Sequence, residues 1–122
     1  MEHSAAFLAL VERAKKGVKT VDIGAVKRRL EGGAKFFLID VREDHEWENG
    51  RIPGAIHMGR GILERDIEKR IPQTDREIVL YCGGGFRSAL SAESLQKMGY
   101  SRVYSMEGGF RAWVEAKGAV EK

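Results

Sequence analysis

The sequence predicts an α/β fold: a small, mostly parallel β-sheet flanked by helices on both faces, with an extra helix at the N-terminus. Three observations carry this. Short runs of strand length recur at 36–41, 77–81 and 102–106. Segments of helical periodicity separate them. Most of those segments stop at a glycine or a proline. The first two runs are mostly apolar, FFLIDV broken only by Asp40 and EIVLY only by its first residue, Glu77, the pattern of strands covered on both faces.

In chain order, Phe7, Leu10, Val11 and Ala14 fall on one helical face, with Ser4 as N-cap and Gly17 as stop. Asp22 caps a second helix whose face holds Ile23, Val26 and Leu30 and which ends at Gly32-Gly33. FFLIDV (36–41) reads as a buried strand. REDHEWENG opens acidic, which suits a helix N-terminus, and closes on Gly50. Pro53-Gly54 form a turn before a short strand. Leu63, Ile67 and Ile71 repeat every four residues up to Pro72. EIVLY (77–81) is the next strand, and Ala89, Ala92 and Leu95 mark the helix after it. RVYSM (102–106) is a last strand, followed by a closing helix with Phe110, Trp113 and Val114. Trp113 reads as core. Residues 1–17 are expected to form a helical extension and residues 18–122 the domain proper.

At 122 residues the chain suits one compact domain. It is 43% hydrophobic and 32% charged, a globular balance. The net charge is +3 and basic residues are interspersed with acids, with no stripe for nucleic acid. The apolar run Ala5–Val11 is too short for a signal and is followed at once by Glu12 and Arg13. No stretch approaches the ~20 apolar residues of a membrane span. A single cysteine allows no internal disulfide, which fits a reducing, cytoplasmic setting. The scatter of His3, His45 and His57 argues against a zinc site, and no metal or cofactor is expected.

That cysteine, Cys82, stands in YCGGGFRSA at the carboxyl end of EIVLY. In parallel sheets ligands bind beyond that end of the strands. A lone cysteine is ordinarily a small buried hydrophobe. Here three features point the other way. Gly83, Gly84 and Gly85 allow backbone conformations in which successive N–H groups converge on one point. The next segment presents a helix N-terminus, which favours negative charge. Arg87 adds a permanent cation. Together they favour a thiolate, or an anion attached to the sulfur.

LIDVRE (38–43), GRIPGA (50–55), YCGGGFRSA (81–89) and EGGFRAW (107–113) resemble, in order and spacing, the rhodanese or sulfurtransferase domain, from about Val21 to about Lys117. The resemblance implies that Cys82 is the catalytic cysteine that carries a persulfide. It implies that the loop Gly83, Gly84, Gly85, Phe86, Arg87 rings that sulfur with N–H groups. It implies that Asp40 and Arg42 lie near this loop and help hold it. Glu46 matches an acidic position before the glycine turn; Asp40, Arg42 and Glu46 also read as scaffolding ion pairs. Gly108-Gly109 are placed to close the site from the side or simply to turn into the last helix. Arg51 stands where the family most often has histidine. The loop holds no cation besides Arg87, where many members active on thiosulfate place more.

The implied activity is transfer of a sulfane sulfur from thiosulfate or a persulfide to cyanide, a thiol or a protein acceptor. A persulfide carrier for a protein partner, with little small-molecule turnover, is the alternative. Phosphatase chemistry is disfavoured, because the tyrosine phosphatases use Cys-x5-Arg and only four residues separate Cys82 from Arg87.

Overall fold

Apolar strand runs with no polar face must be covered twice, and the structure covers them twice. It is a computed structural model that describes residues 2–122. The elements run α1 (Ala5–Lys15), β1 (Lys19–Val21), α2 (Ile23–Glu31), β2 (Phe37–Asp40), α3 (Asp44–Glu48) and β3 (Ile56–His57). They continue α4 (Arg60–Arg70), β4 (Ile78–Tyr81), α5 (Phe86–Lys97), β5 (Val103–Met106) and α6 (Gly109–Glu115). The five strands form one sheet in the order β1-β5-β4-β2-β3. Every strand pair is parallel. Among the described residues no helix is long and apolar enough to cross a membrane.

Alternation along the strands sorts the core into two layers. Ile39, Ile78, Leu80 and Val103 face one way, against Leu63 and Ile67 of α4 and Ala92 and Leu95 of α5. Leu38, Val79, Tyr81 and Met106 face the other way, against Val26 of α2 and Trp113 of α6. A third, smaller cluster joins Val11 and Ala14 of α1 to Ala89 and Leu90 of α5. The N-terminal helix therefore lies on the outer side of α5 and not on the sheet. Ser4 and Asp22 cap their helices as expected, accepting from the N–H groups of Phe7 and Ala25 at 3.1 and 2.7 Å.

Four expectations are corrected. Leu10, Leu30 and Val114 are exposed. The inward positions of these helices are taken by Val11 and Ala14 in α1, Val26 in α2 and Trp113 in α6. The strand Lys19–Val21 went unread: it is three residues long, carries no apolar run, and exists because β5 offers it a parallel edge.

The chain leaves β2 towards β3 on one side and leaves β4 towards β5 on the other. The strand order reverses between β2 and β4, and a crevice opens beyond their carboxyl ends. Cys82 follows β4, and Arg42 stands two residues beyond Asp40, the last residue of β2.

Candidate functional site

Cys82 is buried, 1% exposed, and it is held by the turn that begins α5. Gly85 occupies the N-cap with φ of 98°, a left-handed conformation that a side chain would strain. That turn aims two backbone donors at the sulfur. Gly85 N–H donates to Sγ at 3.1 Å and Ser88 N–H at 3.4 Å. The Ser88 hydroxyl lies 3.6 Å from Sγ and 2.7 Å from the Ser105 hydroxyl. The expected ring of donors is thus drawn from Gly85 and Ser88, with no such bond from Gly83 or Gly84. Ser88 was not singled out in the sequence, although its place in the first turn of a helix that starts beside the sulfur was the available signal.

The first turn of α6 clamps the loop from the other side. Phe110 N–H donates to the Cys82 carbonyl at 2.7 Å, and Arg111 N–H to the Gly83 carbonyl at 3.0 Å. Gly109 makes this approach possible. Its φ is 59°, and a Cβ there would stand 2.5 Å from the Cys82 carbonyl oxygen. Gly108-Gly109 therefore turn the chain into α6 with its backbone against that of Cys82 and Gly83.

Arg87 is bound by Glu46 of α3 in a two-pronged pair, at 2.6 and 3.0 Å. This links α3 to the loop across 41 residues of sequence. The Arg87 guanidinium holds the Glu46 carboxyl down at about 2 from its ordinary 4.5. A lowered carboxylate stabilises the fold fully above its unfolded pKa, and the contribution is lost as pH falls through the folded pKa. Glu46→Gln is therefore expected to destabilise the protein by about 1 kcal/mol at pH 7. Melting curves of the two proteins should converge as pH drops from 4.5 towards 2.

Asp40 and Arg42 form a buried ion pair, 2.8 Å at its shortest, and Arg42 also donates to the Gly50 carbonyl at 2.7 Å. Neither contacts Sγ. Their link to the loop is indirect: the Arg42 guanidinium lies 4.3 Å over the Phe110 ring, and Phe110 N–H holds the Cys82 carbonyl. The Tyr81 side chain points to the opposite core layer, where its hydroxyl accepts from Ile52 N–H at 3.2 Å and burial pushes its pKa up.

A cavity of about 830 Å³ opens over Cys82. Gly83, Gly84, Phe86 and Arg87 form its floor, with Glu46 beside them. The far wall comes from residues that the sequence kept separate from the site: His3, Phe7 and Leu8 of the N-terminal segment. His45 and Arg111 complete the rim. Folding thus brings two of the three scattered histidines to the cavity, while His57 bonds the Arg42 carbonyl elsewhere. Among the described residues no group of three or more His, Cys, Asp or Glu side chains is arranged to hold a metal.

Known proteins resemble this chain in sequence and in fold. A putative sulfurtransferase from Bacillus subtilis, YtwF, is 35% identical over 96 residues, which span 79% of this chain and 90% of that protein. The thiosulfate sulfurtransferase GlpE of Shewanella oneidensis is 35% identical over 79 residues, 65% of this chain and 76% of that one. A solved structure from Rhodopseudomonas palustris, of unknown function and described as a possible tyrosine phosphatase, superposes with a TM-score of 0.84 at 34% identity. That superposition covers 99% of both chains, and so includes the N-terminal helix. The Rhodanese-like domain family model matches residues 22–116, from the cap of α2 to the end of α6. A parallel sheet with its thiol loop at the reversal of strand order, and a family match over most of its length, make this chain a member of the rhodanese-like domain family.

Proposed function

We propose that the protein is a sulfurtransferase that moves a sulfane sulfur from a donor to a thiophilic acceptor through a persulfide on Cys82. The observation that carries this reading is the setting of the sulfur. The chain's one thiol sits at the floor of a cavity with two N–H donors aimed at it. Such donors favour negative charge on the sulfur, the form that attacks. The relatives named for an activity add weight to sulfur transfer as the chemistry.

The Cys82 thiolate attacks the outer sulfur of the donor. With thiosulfate the S–S bond breaks, sulfite leaves with the bonding pair, and the sulfur remains as Cys82–S–S⁻. With an organic persulfide the leaving group is the thiolate. An acceptor thiolate or cyanide then attacks the terminal sulfur, the Cys82–S bond to it breaks, and the Cys82 thiolate returns. No net oxidation occurs, and the scheme is ping-pong. The loop Gly83–Arg87 surrounds the terminal sulfur, Asp40 and Arg42 support it through Phe110, and the acceptor comes from outside, because the chain holds no second cysteine.

The donor is argued from charge. Arg87, the one cation of the loop, is answered by Glu46 at 2.6 Å. A doubly charged anion gains little from a guanidinium already paired with a carboxylate. An organic persulfide is therefore expected to exceed thiosulfate in kcat/KM by about tenfold or more, with cyanide as acceptor. Thiocyanate formation above the uncatalysed background reads this out. Faster turnover of thiosulfate would overturn the donor preference, and no thiocyanate from either donor would overturn sulfur transfer to small molecules. A loaded, stable persulfide without turnover marks a carrier.

The phosphatase description of the Rhodopseudomonas palustris protein does not suit this loop. Four residues between Cys82 and Arg87 make a ring smaller than a Cys-x5-Arg loop, and the ring size sets where its donors meet an oxyanion.

A further inference from the structure

The cavity over Cys82 is larger than a small inorganic anion needs. Its volume of about 830 Å³ lies within the range of sites that enclose cofactor-sized organic ligands. Its far wall is aromatic and comes from α1 and the residues just before it. The rings of His3, Phe7 and Phe86 form a closed trio, with centroids 5.1, 4.9 and 6.2 Å apart. Lys15 stands 5.2 Å over the Phe86 ring. Leu8 extends this wall to the surface, where it is 41% exposed.

The fold holds the wall in place by ordinary means. Val11 and Ala14 pack on Ala89 and Leu90, so the buried face of α1 is fixed on α5 one turn beyond the thiol loop. The Ser4 cap starts the helix where His3 can turn back onto Phe86. These wall residues precede the region of the family match, which begins at residue 22. Phe7 and Phe86 pack at the edge of the α1–α5 cluster and also line the cavity, so the rings that seat the helix border the space over Cys82.

We propose that α1 is a specificity element: His3, Phe7 and Leu8, with Phe86, bind the carbon body of a low-molecular-weight organic thiol whose sulfur meets Cys82. The inference rests on the reading of Cys82 as the sulfur carrier. The thiol is the acceptor of the second half-reaction: its thiolate takes the terminal sulfur from Cys82–S–S⁻ and leaves as R–S–S⁻, with the Cys82 thiolate restored. The phenyl rings of Phe7 and Phe86, the face of the His3 imidazole and Leu8 bind carbon groups through burial and stacking, while Arg87 is already paired with Glu46 and the other arginine, Arg111, stands at the rim.

The test is a single-turnover comparison of acceptors. The protein is loaded with polysulfide, freed of excess, and mixed with phenylmethanethiol or with cyanide, and the loss of one sulfur is followed by intact mass. Phe7→Ala is expected to raise the half-saturating phenylmethanethiol concentration about tenfold relative to the cyanide response, with the maximal rate little changed. His3→Ala, a change at an exposed position ahead of the helix, is expected to act in the same direction by about threefold. It carries the test should Phe7→Ala loosen the helix. Equal shifts for both acceptors, or none, in variants that melt like the wild type would overturn the proposal. Failure of the wild type to take up sulfur is a different result, visible at the loading step, and removes the parent reading as well.

Discussion

Cys82→Ser is expected to lose sulfur transfer by at least ~10³-fold and to keep its fold within about 1 kcal/mol. The two effects separate because the oxygen replaces the sulfur in space but not in chemistry. A serine hydroxyl can accept from the N–H groups of Gly85 and Ser88 that now meet Sγ. It is not ionised at neutral pH and cannot hold a sulfane sulfur. No other thiol in the chain can substitute for it. Thiocyanate formation and a denaturant titration, run side by side, check both halves. A variant that unfolds would show that the sulfur is needed for packing, and a variant that still transfers would place the reaction elsewhere.

The second large effect lies outside the cavity. Asp40→Ala is expected to cost about 3–5 kcal/mol, because Arg42 is then left as a buried guanidinium without its counter-charge. Asp40 is fully buried and Arg42 is 5% exposed. The carboxylate accepts from Arg42 Nε, from a terminal nitrogen and from the backbone N–H, at 2.8 to 3.1 Å. The Gly50 carbonyl would be its one remaining hydrogen-bond acceptor, beside the ring faces of Phe110 and Tyr81. The double variant Asp40→Ala, Arg42→Met is expected to lose less than the sum of the two single changes, since it removes the charge along with its partner. Urea titrations of the four proteins give the coupling. Additive losses would mean that the pair is not a unit.

How much of this was legible in the sequence depends on how far each cause reaches along the chain. Strands β2 and β4 are apolar on both faces, so composition alone announces them. The caps at Ser4 and Asp22 act over three residues, and local rules find them. The position of Cys82 at the end of a strand and the start of a helix is likewise local. Strand β1 is not, because Lys19-Thr20-Val21 has no strand signal until β5 lies beside it. The same holds for the partner of Arg87. Glu46 is 41 residues away, and an acidic residue in a first helical turn has a sufficient local explanation. His3 and Phe7 show the limit most clearly. Phe7 satisfies a helical pattern and His3 satisfies none, yet packing α1 onto α5 sets both against Phe86, about eighty residues on. The three glycines after Cys82 were readable as a loop around a sulfur, but which N–H groups reach it depends on the left-handed turn at Gly85 and on the pitch of α5.

The central claim is that Cys82 accepts and holds one sulfur atom. Intact-mass measurement after incubation with polysulfide or an organic persulfide, followed by removal of the donor, tests it most directly. The account predicts that the wild type gains the mass of one sulfur, that cyanide or a thiol removes it, and that Cys82→Ser gains nothing. A wild type whose mass stays unchanged, or a gain that survives in Cys82→Ser, would contradict it.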